Sequence, residues 1–334
     1  MRAWQISSFG IDSLEFVERA DPAPGAGEVL VAVRAISLNF RDLRMVQGLY
    51  DPSLKLPRIP CSDGAGEVVA VGEGVTAWKP GDRVAGIFMQ NWLDGPLTRA
   101  KAKGALGGDI DGMLASHVVL KESGFVAVPE HLSFEEAATL PCAAVTAWNA
   151  LSVGNLKPGG TVLIQGTGGV SIFALQFAKL MGLRVLGVSS SDEKLARAAK
   201  LGLDAGWNYR KDADWERWVF EETGGEGVDM VVEVGGAGTL GRSLKAIRTG
   251  GTIAQIGVLA GVAESIQIPH ILHKVANIHG IYVGSRQNFV EMSRAVSLAG
   301  LRPVIEVFSW NRAREAFHTM EEARHFGKLV LTVD

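Results

Sequence analysis

Cysteine is nearly absent: Cys61 and Cys142 are the two in 334 residues. Two thiols make no disulfide framework, so the chain reads as one kept in a reducing cytoplasm. An excess of one charge is lacking too. Lys and Arg number 33 against 36 Asp and Glu, a net charge of −3, which leaves no basic footprint for a nucleic-acid partner. No run reaches the roughly 18 apolar residues of a membrane span. The opening MRAWQISSFG has neither the charged head nor the apolar core of a secretory signal. There is no internal repeat and no low-complexity tract. What is present is 47% hydrophobic and 21% charged, over a length that suits about two globular domains.

The most informative stretch is Val162–Gly182. TVLIQ reads as a strand, Gly166-Thr167-Gly168-Gly169 as a tight turn, and the residues from Val170 as a helix with Ala174, Phe177 and Met181 on its apolar side. Strand, glycine turn and helix make a phosphate cradle: the glycines admit a pyrophosphate close to the backbone, and the helix start offers free N–H groups. The third glycine of that pattern is Ser171, small enough for helix–strand packing. A second strand is expected at 184–190 and a helix at 192–202. A short strand follows near 206–209, then a helix around DADWERWVFEETG, a strand at 228–236, a helix at TLGRSLKAI and strands at 250–258 and 278–284. Strands alternating with helices imply a doubly wound parallel sheet. The competing reading is a doubly wound domain whose glycine turn only packs.

Residues 1–124 read as β-rich. EVLVAVRAISL (28–38), GAGEVVAVGEGV (64–75) and the end of WKPGDRVAGI (78–87) are strand-like. In the turn at Pro80-Gly81-Asp82, proline fixes φ, glycine supplies positive φ and aspartate bonds local backbone. A short helix and proline-rich loop fill NFRDLRMVQGLYDPSLKLP. The polar, glycine-rich stretch 89–116 is expected to be a surface excursion. A helix is expected to begin at Ser133, with Glu136 at capping-box spacing.

SLNFRDL, SDGAGEVVAVGEGV, KPGDRV, LPCAAVTAWNAL, VLIQGTGGVS and GIYVGSR, in that order, resemble the medium-chain dehydrogenase/reductase superfamily, over nearly the whole chain. The resemblance implies an α/β fold: a Rossmann doubly wound parallel sheet at 125–285, inserted in a GroES-like distorted β-barrel catalytic domain built from 1–124 and completed by 286–334. It also implies an active site in the cleft between the two. Zinc-dependent members carry a Cys in the segment matched here by Ser37–Asp42, a Gly-His-Glu matched by Cys61-Ser62-Asp63, and a Cys four residues before a Thr. Only that last cysteine is matched, by Cys142 before Thr146. A catalytic zinc needs about three ligands from His, Cys and carboxylates. Asp42 or Asp63 could add oxygen, but the expectation is no catalytic zinc. The loop at 89–116 has no cysteine, which excludes the family's structural zinc. The pair His270 and His273, on the apolar segment IPHILHKV, reads as packing rather than as ligands.

Without a Lewis acid on the carbonyl, hydride transfer favours substrates whose product anion is delocalised: quinones and α,β-unsaturated carbonyls. The chain is similar to the zinc-independent quinone oxidoreductase branch, whose members carry an Asn and a Tyr matched by Asn39 and Tyr50. Asn39 would then hold the nicotinamide or the substrate oxygen, and Tyr50 would donate a hydrogen bond or proton to the enolate. The competing readings are a helix cap for Asn39 and a loop anchor for Tyr50. An NAD site ends its second strand in a carboxylate about 20 residues past the glycine turn. Here Ser189-Ser190-Ser191 stands in that place, with Lys194 a helical turn on. In related NADPH-using members, residues like Lys194 and Tyr209 meet the 2′-phosphate, so NADP(H) is favoured over NAD(H). The opposing reading is a capping box of Ser190 and Glu193 with Lys194 as solvated surface, and Asp192 stands close by. The cofactor-side residues are completed by Thr146, Gly166, Thr167, Gly168, Gly169, Val170, Gly257, Val258, Val283, Ser285, Arg286 and Lys328, the last weighed against plain surface. A homodimer pairing through the strand at 250–258 follows from the resemblance alone. The partner is a small-molecule carbonyl or quinone. The alternatives are an alcohol dehydrogenase or ketone reductase of the same fold, and a catalytically silent NADPH-binding protein.

Overall fold

The computed structural model describes residues 1–333. Its contacts divide the chain into two units: Met1–Val145 with the stretch from Val283 onward, and Thr146–Tyr282. The first unit opens with an antiparallel ribbon of β1 (Arg2–Ile6) and β2 (Leu14–Glu18). β3 (Glu28–Ser37) leads through α1 (Phe40–Val46) to β4 (Asp63–Val71) and β5 (Arg83–Gly86). β6 (His117–Lys121), β7 (Phe125–Ala127) and the short α2 (Phe134–Ala137) follow. The Pro80-Gly81-Asp82 turn forms as its residues dictate: Gly81 has φ +91 and Asp82 Oδ2 accepts from the Lys79 N–H at 2.9 Å. Ser133 caps α2, its Oγ accepting from the Glu136 N–H at 3.2 Å while Glu136 Oε2 accepts from the Ser133 N–H at 2.9 Å. Residues 93–104 lie at the surface, as expected of the 89–116 stretch, but its two ends do not: Met89, Trp92, Leu106, Met113 and Leu114 are buried, the last three in the core that holds Val33 and Ile36 of β3.

The second unit is a six-stranded sheet, parallel in every pair. After α3 (Val145–Val153) come β8 (Thr161–Gln165), α4 (Gly169–Leu180), β9 (Arg184–Ser189), α5 (Asp192–Ala199) and β10 (Ala205–Asn208). Then follow α6 (Trp215–Glu222), β11 (Val228–Glu233), α7 (Leu240–Ala246), β12 (Ile247–Gln255), α8 (Ile268–Lys274) and β13 (Asn277–Gly280). The order β10-β9-β8-β11-β12-β13 reverses direction between β8 and β11, the switch point where such sheets take ligands at their carboxyl ends. The central strands are continuously apolar because helices cover both faces. Leu163, Leu186, Val231 and Ile253 pack with Trp215, Trp218 and Leu244. β12 is paired on both sides, by β11 and β13, so the strand at 250–258 has no edge to offer a second copy. The edge is β13, exposed at every residue. None of α8 is buried, so His270 and His273 do not pack into this chain's core either.

The chain then returns to the first unit with α9 (Arg286–Ala299), β14 (Ile305–Ser309), α10 (Ala313–Glu321) and β15 (Lys328–Thr332). The sheet order there is β14-β15-β3-β4-β5-β7, with β6 also on β3. One side of β3 is shared along its length: β6 takes Glu28–Ala32 and β15 takes Ala35–Ser37. The register pairs Val330 with Ser37. Two steps further, position 328 falls opposite position 39, where β3 has just given way to α1. That register positions the candidate site.

Candidate active site

Asn39 is the N-cap of α1, with extended φ −124 and ψ 154. Its N–H donates to Asp42 Oδ2 at 2.9 Å, which ties the first turn of the helix. The helix-cap reading of Asn39 therefore holds for its position, and its carboxamide does more. Lys328, 3% exposed, donates from Nζ to Leu38 O at 2.5 Å and to Asn39 Oδ1. An ammonium only donates, so this contact assigns the amide: Oδ1 faces Lys328, and Nδ2 donates to Ser62 Oγ at 3.3 Å. Ser62 Oγ donates in turn to Asp63 Oδ1 at 2.7 Å. A directed chain thus runs from the buried ammonium through Asn39 and Ser62 to a fully buried carboxylate. Asp63 Oδ2 accepts from the Cys142 N–H at 3.1 Å. Lys328 is no surface lysine. The register of β15 against β3 carries it inside.

Burial pushes the Asp63 carboxyl up to about 6; Lys328 pulls against that shift and Asp42 adds to it. Burial also pushes both thiols up, with Asp42 and Asp63 adding to Cys61, and Asp63 adding to Cys142. Cys142 lies in a π-helical turn, Leu140–Ala144, and is half-buried. The zinc-ligand places of the resemblance, Asn39, Ser62 and Cys142, do come together. They bring one thiol held towards its protonated form, a hydroxyl already bonded, and an amide oxygen already facing a cation. Among the described residues no three His, Cys, Asp or Glu side chains are arranged to hold a metal ion. This donor set does not fit a catalytic zinc.

Beside the cluster stand Asp42, weighed in the sequence only as a possible oxygen ligand, and Arg41, which gave no signal there. Arg41 donates from Nη1 to Asp42 Oδ1 at 3.1 Å and to Leu106 O at 2.8 Å, and its Cζ lies 5.0 Å from the Phe88 ring. Asp42, fully buried, also accepts from the Ser62 N–H at 3.2 Å. Tyr50 is 45% exposed, its ring 5.6 Å from Arg41 Cζ. The structure thus places Tyr50 at the outer side of the Arg41–Asp42 pair. Several of these contacts lie beyond local pattern: 289 residues separate Lys328 from Asn39, 79 separate Cys142 from Asp63 and 65 separate Arg41 from Leu106.

In the second unit, Gly166 has φ +71 and Gly168 is the N-cap of α4, with open space where a Cβ would stand on either. The turn continues through the buried Thr167 into Gly169 and Val170, the first residues of α4. Ser171 is buried and its Oγ donates to Gln165 O at 2.6 Å, the close helix–strand seam its position calls for. This cradle fits a diphosphate. Ser189 ends β9 and its carbonyl accepts from the Tyr209 N–H at 3.1 Å, which brings Ser189, Ser190 and Tyr209 to one end of the sheet. Ser190 and Glu193 do not form the cap of α5. Ser191 does, its Oγ accepting from the Lys194 N–H at 3.3 Å, because the helix starts one residue later. Asp192 is ion-paired with Lys211 at 2.5 Å and accepts from Asn208 Nδ2 at 2.9 Å, so its charge is offset locally. Gly257 and Val258 follow β12, Val258 half exposed, and Thr146 is buried in α3. Val283 (φ +57), Ser285 and Arg286 belong to the first unit. There Ser285 caps α9, and Arg286 donates from Nε to Phe125 O at 3.1 Å.

Comparison with known proteins agrees with both halves. Residues 25–130 match the alcohol dehydrogenase GroES-like domain family, and residues 169–297 match the zinc-binding dehydrogenase family. A zinc-type alcohol dehydrogenase-like protein of Schizosaccharomyces pombe is 44% identical, over 97% of this chain and 96% of its own. The crystal structure of an NAD-dependent alcohol dehydrogenase superposes with a TM-score of 0.92 at 36% identity, covering 100% of both chains. That of a Pseudomonas syringae pv. Tomato quinone oxidoreductase gives 0.83 at 30% identity, covering 99% of each.

Proposed function

Since the chain belongs to the medium-chain dehydrogenase/reductase superfamily and is an NAD(P)-dependent oxidoreductase, we propose that it reduces a conjugated carbonyl, an enone or a quinone, without zinc. The observation that carries this reading is the Lys328–Asn39–Ser62–Asp63 chain, which fills the zinc-ligand places with groups already committed to one another. The reduced nicotinamide, when bound, supplies the hydride. The chain's own residues must then accept the charge that develops on the substrate oxygen. Asn39 Nδ2 serves Ser62 and Asp63, Lys328 on its Oδ1 polarises the amide as a donor, and a substrate oxygen would take over one of those N–H groups. Tyr50, exposed at the rim, delivers a proton to the enolate. A conjugated acceptor suits such neutral donors because its anion is already delocalised. The quinone oxidoreductase among the similar structures supports this class.

A second reading has an observation of its own: the other two relatives above carry alcohol dehydrogenase in their names. One assay separates the two. Oxidation of NADPH and NADH is followed with a quinone, an enone and a simple ketone, with and without a chelator. Chelator-resistant turnover of the quinone or enone alone is expected. Chelator-sensitive turnover, or turnover of the plain ketone, overturns the zinc-free reading.

For the cofactor we favour NADPH. β9 ends in serine rather than a carboxylate, and Lys194 and Tyr209 stand at the same end. We also propose a homodimer, formed at the β13 edge rather than through β12. Ile268 is 68% exposed and Leu272 71% on α8, the helix that leads into the edge strand β13, and Ile278 on that strand is 40% exposed. A monomeric mass by light scattering at micromolar concentration would refute it. No helix is long and apolar enough to cross a membrane among the described residues.

A further inference from the structure

We infer that Glu233 is a positioning residue for the dinucleotide, locking the turn after β11 against the end of β8 across the switch point of the sheet. The inference rests on the dinucleotide reading of the second unit and names what sets its geometry. Glu233 is the last residue of β11 and is fully buried. Its Oε1 accepts from the Gly235 N–H at 2.8 Å, the Gly236 N–H at 3.1 Å and Thr239 Oγ1 at 2.6 Å. Its Oε2 accepts from Gln165 Nε2 at 2.7 Å and from Ser243 Oγ. Among the described residues, the hydrogen-bond partners of this carboxylate include no Lys or Arg.

Gln165 completes the lock. It is the last residue of β8, immediately before the Gly166 turn, and its Oε1 accepts from the N–H groups of Val234 at 3.3 Å and Gly235 at 3.4 Å. The Glu233 carbonyl accepts from the Ile256 N–H at 2.8 Å, which adds the turn after β12. The turns leave no slack. A Cβ on Gly235 would lie 2.3 Å from Thr239 Oγ1, and one on Gly257 would lie 2.3 Å from Val234 O. A carboxylate satisfied by five donors specifies one arrangement of the loops it holds. Those loops are the carboxyl ends of β8, β11 and β12, which frame the crevice where a doubly wound sheet takes its ligand. Glu233 does not touch the ligand itself. It holds the diphosphate turn and the neighbouring turn in the binding arrangement, so that binding need not order them.

The amide of Glu233→Gln would turn donors towards donors, whichever oxygen it replaced. Thr239→Val removes one donor with little change of shape. The test measures dissociation constants of each variant for NADPH and for adenosine 2′-monophosphate, which lacks the 5′-phosphate that would sit on the Gly166 turn, alongside thermal unfolding; NADH and adenosine serve if wild type prefers them. The adenosine fragment reports the β9 end of the sheet, on the far side of β8 from Glu233. The expected result is about a tenfold or greater weakening of the whole dinucleotide by Glu233→Gln, and a few-fold weakening by Thr239→Val, with the fragment unchanged. Unchanged dinucleotide affinity, or equal loss for dinucleotide and fragment, would overturn the inference. If Glu233→Gln does not fold, Thr239→Val decides by the same comparison. A wild-type protein that binds neither dinucleotide would instead sink the reading on which the inference rests.

Discussion

Replacing Lys328 with Met keeps most of the side-chain stem and removes the ammonium. Leu38 O and Asn39 Oδ1 then lose their donor inside the protein, and Asp63 loses the cation that pulls its carboxyl down. A hydrogen bond to a charged group is worth about 1.5–3 kcal/mol, and removing one partner of a buried charged pair costs about 3–5 kcal/mol. These overlap, so the expected loss is about 3–5 kcal/mol at pH 8 rather than their sum. The loss depends on pH. Asp63 titrates at about 6 in the folded protein because burial disfavours its charge, against about 3.9 for an unfolded aspartate. A folded value above the unfolded one means that the charged carboxylate destabilises the fold. That cost is complete above the folded value and is relieved as the pH falls through it. Without Lys328 the folded value climbs further, so the penalty is larger and acid relieves more of it. Urea midpoints of wild type and Lys328→Met at pH 8 and pH 5 are the assay. The gap between the two proteins is expected to be widest at pH 8 and to narrow at pH 5. The same gap at both values, or one below about 1 kcal/mol at pH 8, would refute the account of a buried ammonium supporting Asn39 and Asp63.

Tyr50→Phe is expected to lower kcat by about a hundredfold with little change in KM, as the loss of a general acid should; unchanged turnover would leave Tyr50 a loop residue on Arg41. Lys194→Ala should raise the KM for NADPH about tenfold and leave that for NADH alone, and equal effects on both would remove Lys194 from the 2′-phosphate. Gly66→Ala tests the strand seam of the first unit. Its Cβ would stand 2.1 Å from Ala32 O, where β3 and β4 shift register, so the urea midpoint should fall by the equivalent of about 1–3 kcal/mol or more. A wild-type midpoint would mean that the bulge relaxes freely.

Periodicity showed the second unit well because its central strands are covered on both faces and the turn after β8 is marked by glycine. Thr161–Gln165, Arg184–Ser189 and Val228–Glu233 are short apolar runs between helices, and their order around the sheet follows from the connection rules. The stretch 89–116 was less legible. Its average polarity hid buried residues such as Met89, Trp92, Leu106, Met113 and Leu114, spaced with no period because the loop is irregular. The edge of the second sheet was hard to read for a related reason. GGTIAQIGV and IHGIYVG look alike as apolar strands, and only the strand order of the folded sheet puts the second at the edge. In the candidate site, Asn39 and its helix-cap position are local and readable. Lys328 reaches Asn39 only through a strand register between segments 289 residues apart, which no local window contains.

The two units solve the same problem, a buried carboxylate beside a functional loop, in opposite ways. In the first unit Asp42 is paired with the Arg41 guanidinium, and Asp63 is offset by the Lys328 ammonium through the field and a relay of hydrogen bonds. Charge balance there depends on cations, so removing one leaves a charge exposed to low dielectric and the result is pH-dependent. In the second unit Glu233 is balanced by dipoles alone, five N–H and O–H donors on the turns it organises. Dipolar balance has a different consequence. Taking away one donor weakens the hold without stranding a charge, which is why Thr239→Val should shift dinucleotide affinity by only a few-fold while Lys328→Met costs several kcal/mol of stability. The cation-balanced cluster suits a place where electron density must be steered on to a substrate oxygen, since a nearby positive charge polarises the amide that does the steering. The dipole-balanced one suits a place that an anionic diphosphate must approach, since it fixes the loops through donors already satisfied and leaves the N–H groups of the Gly166–Gly169 turn to the ligand.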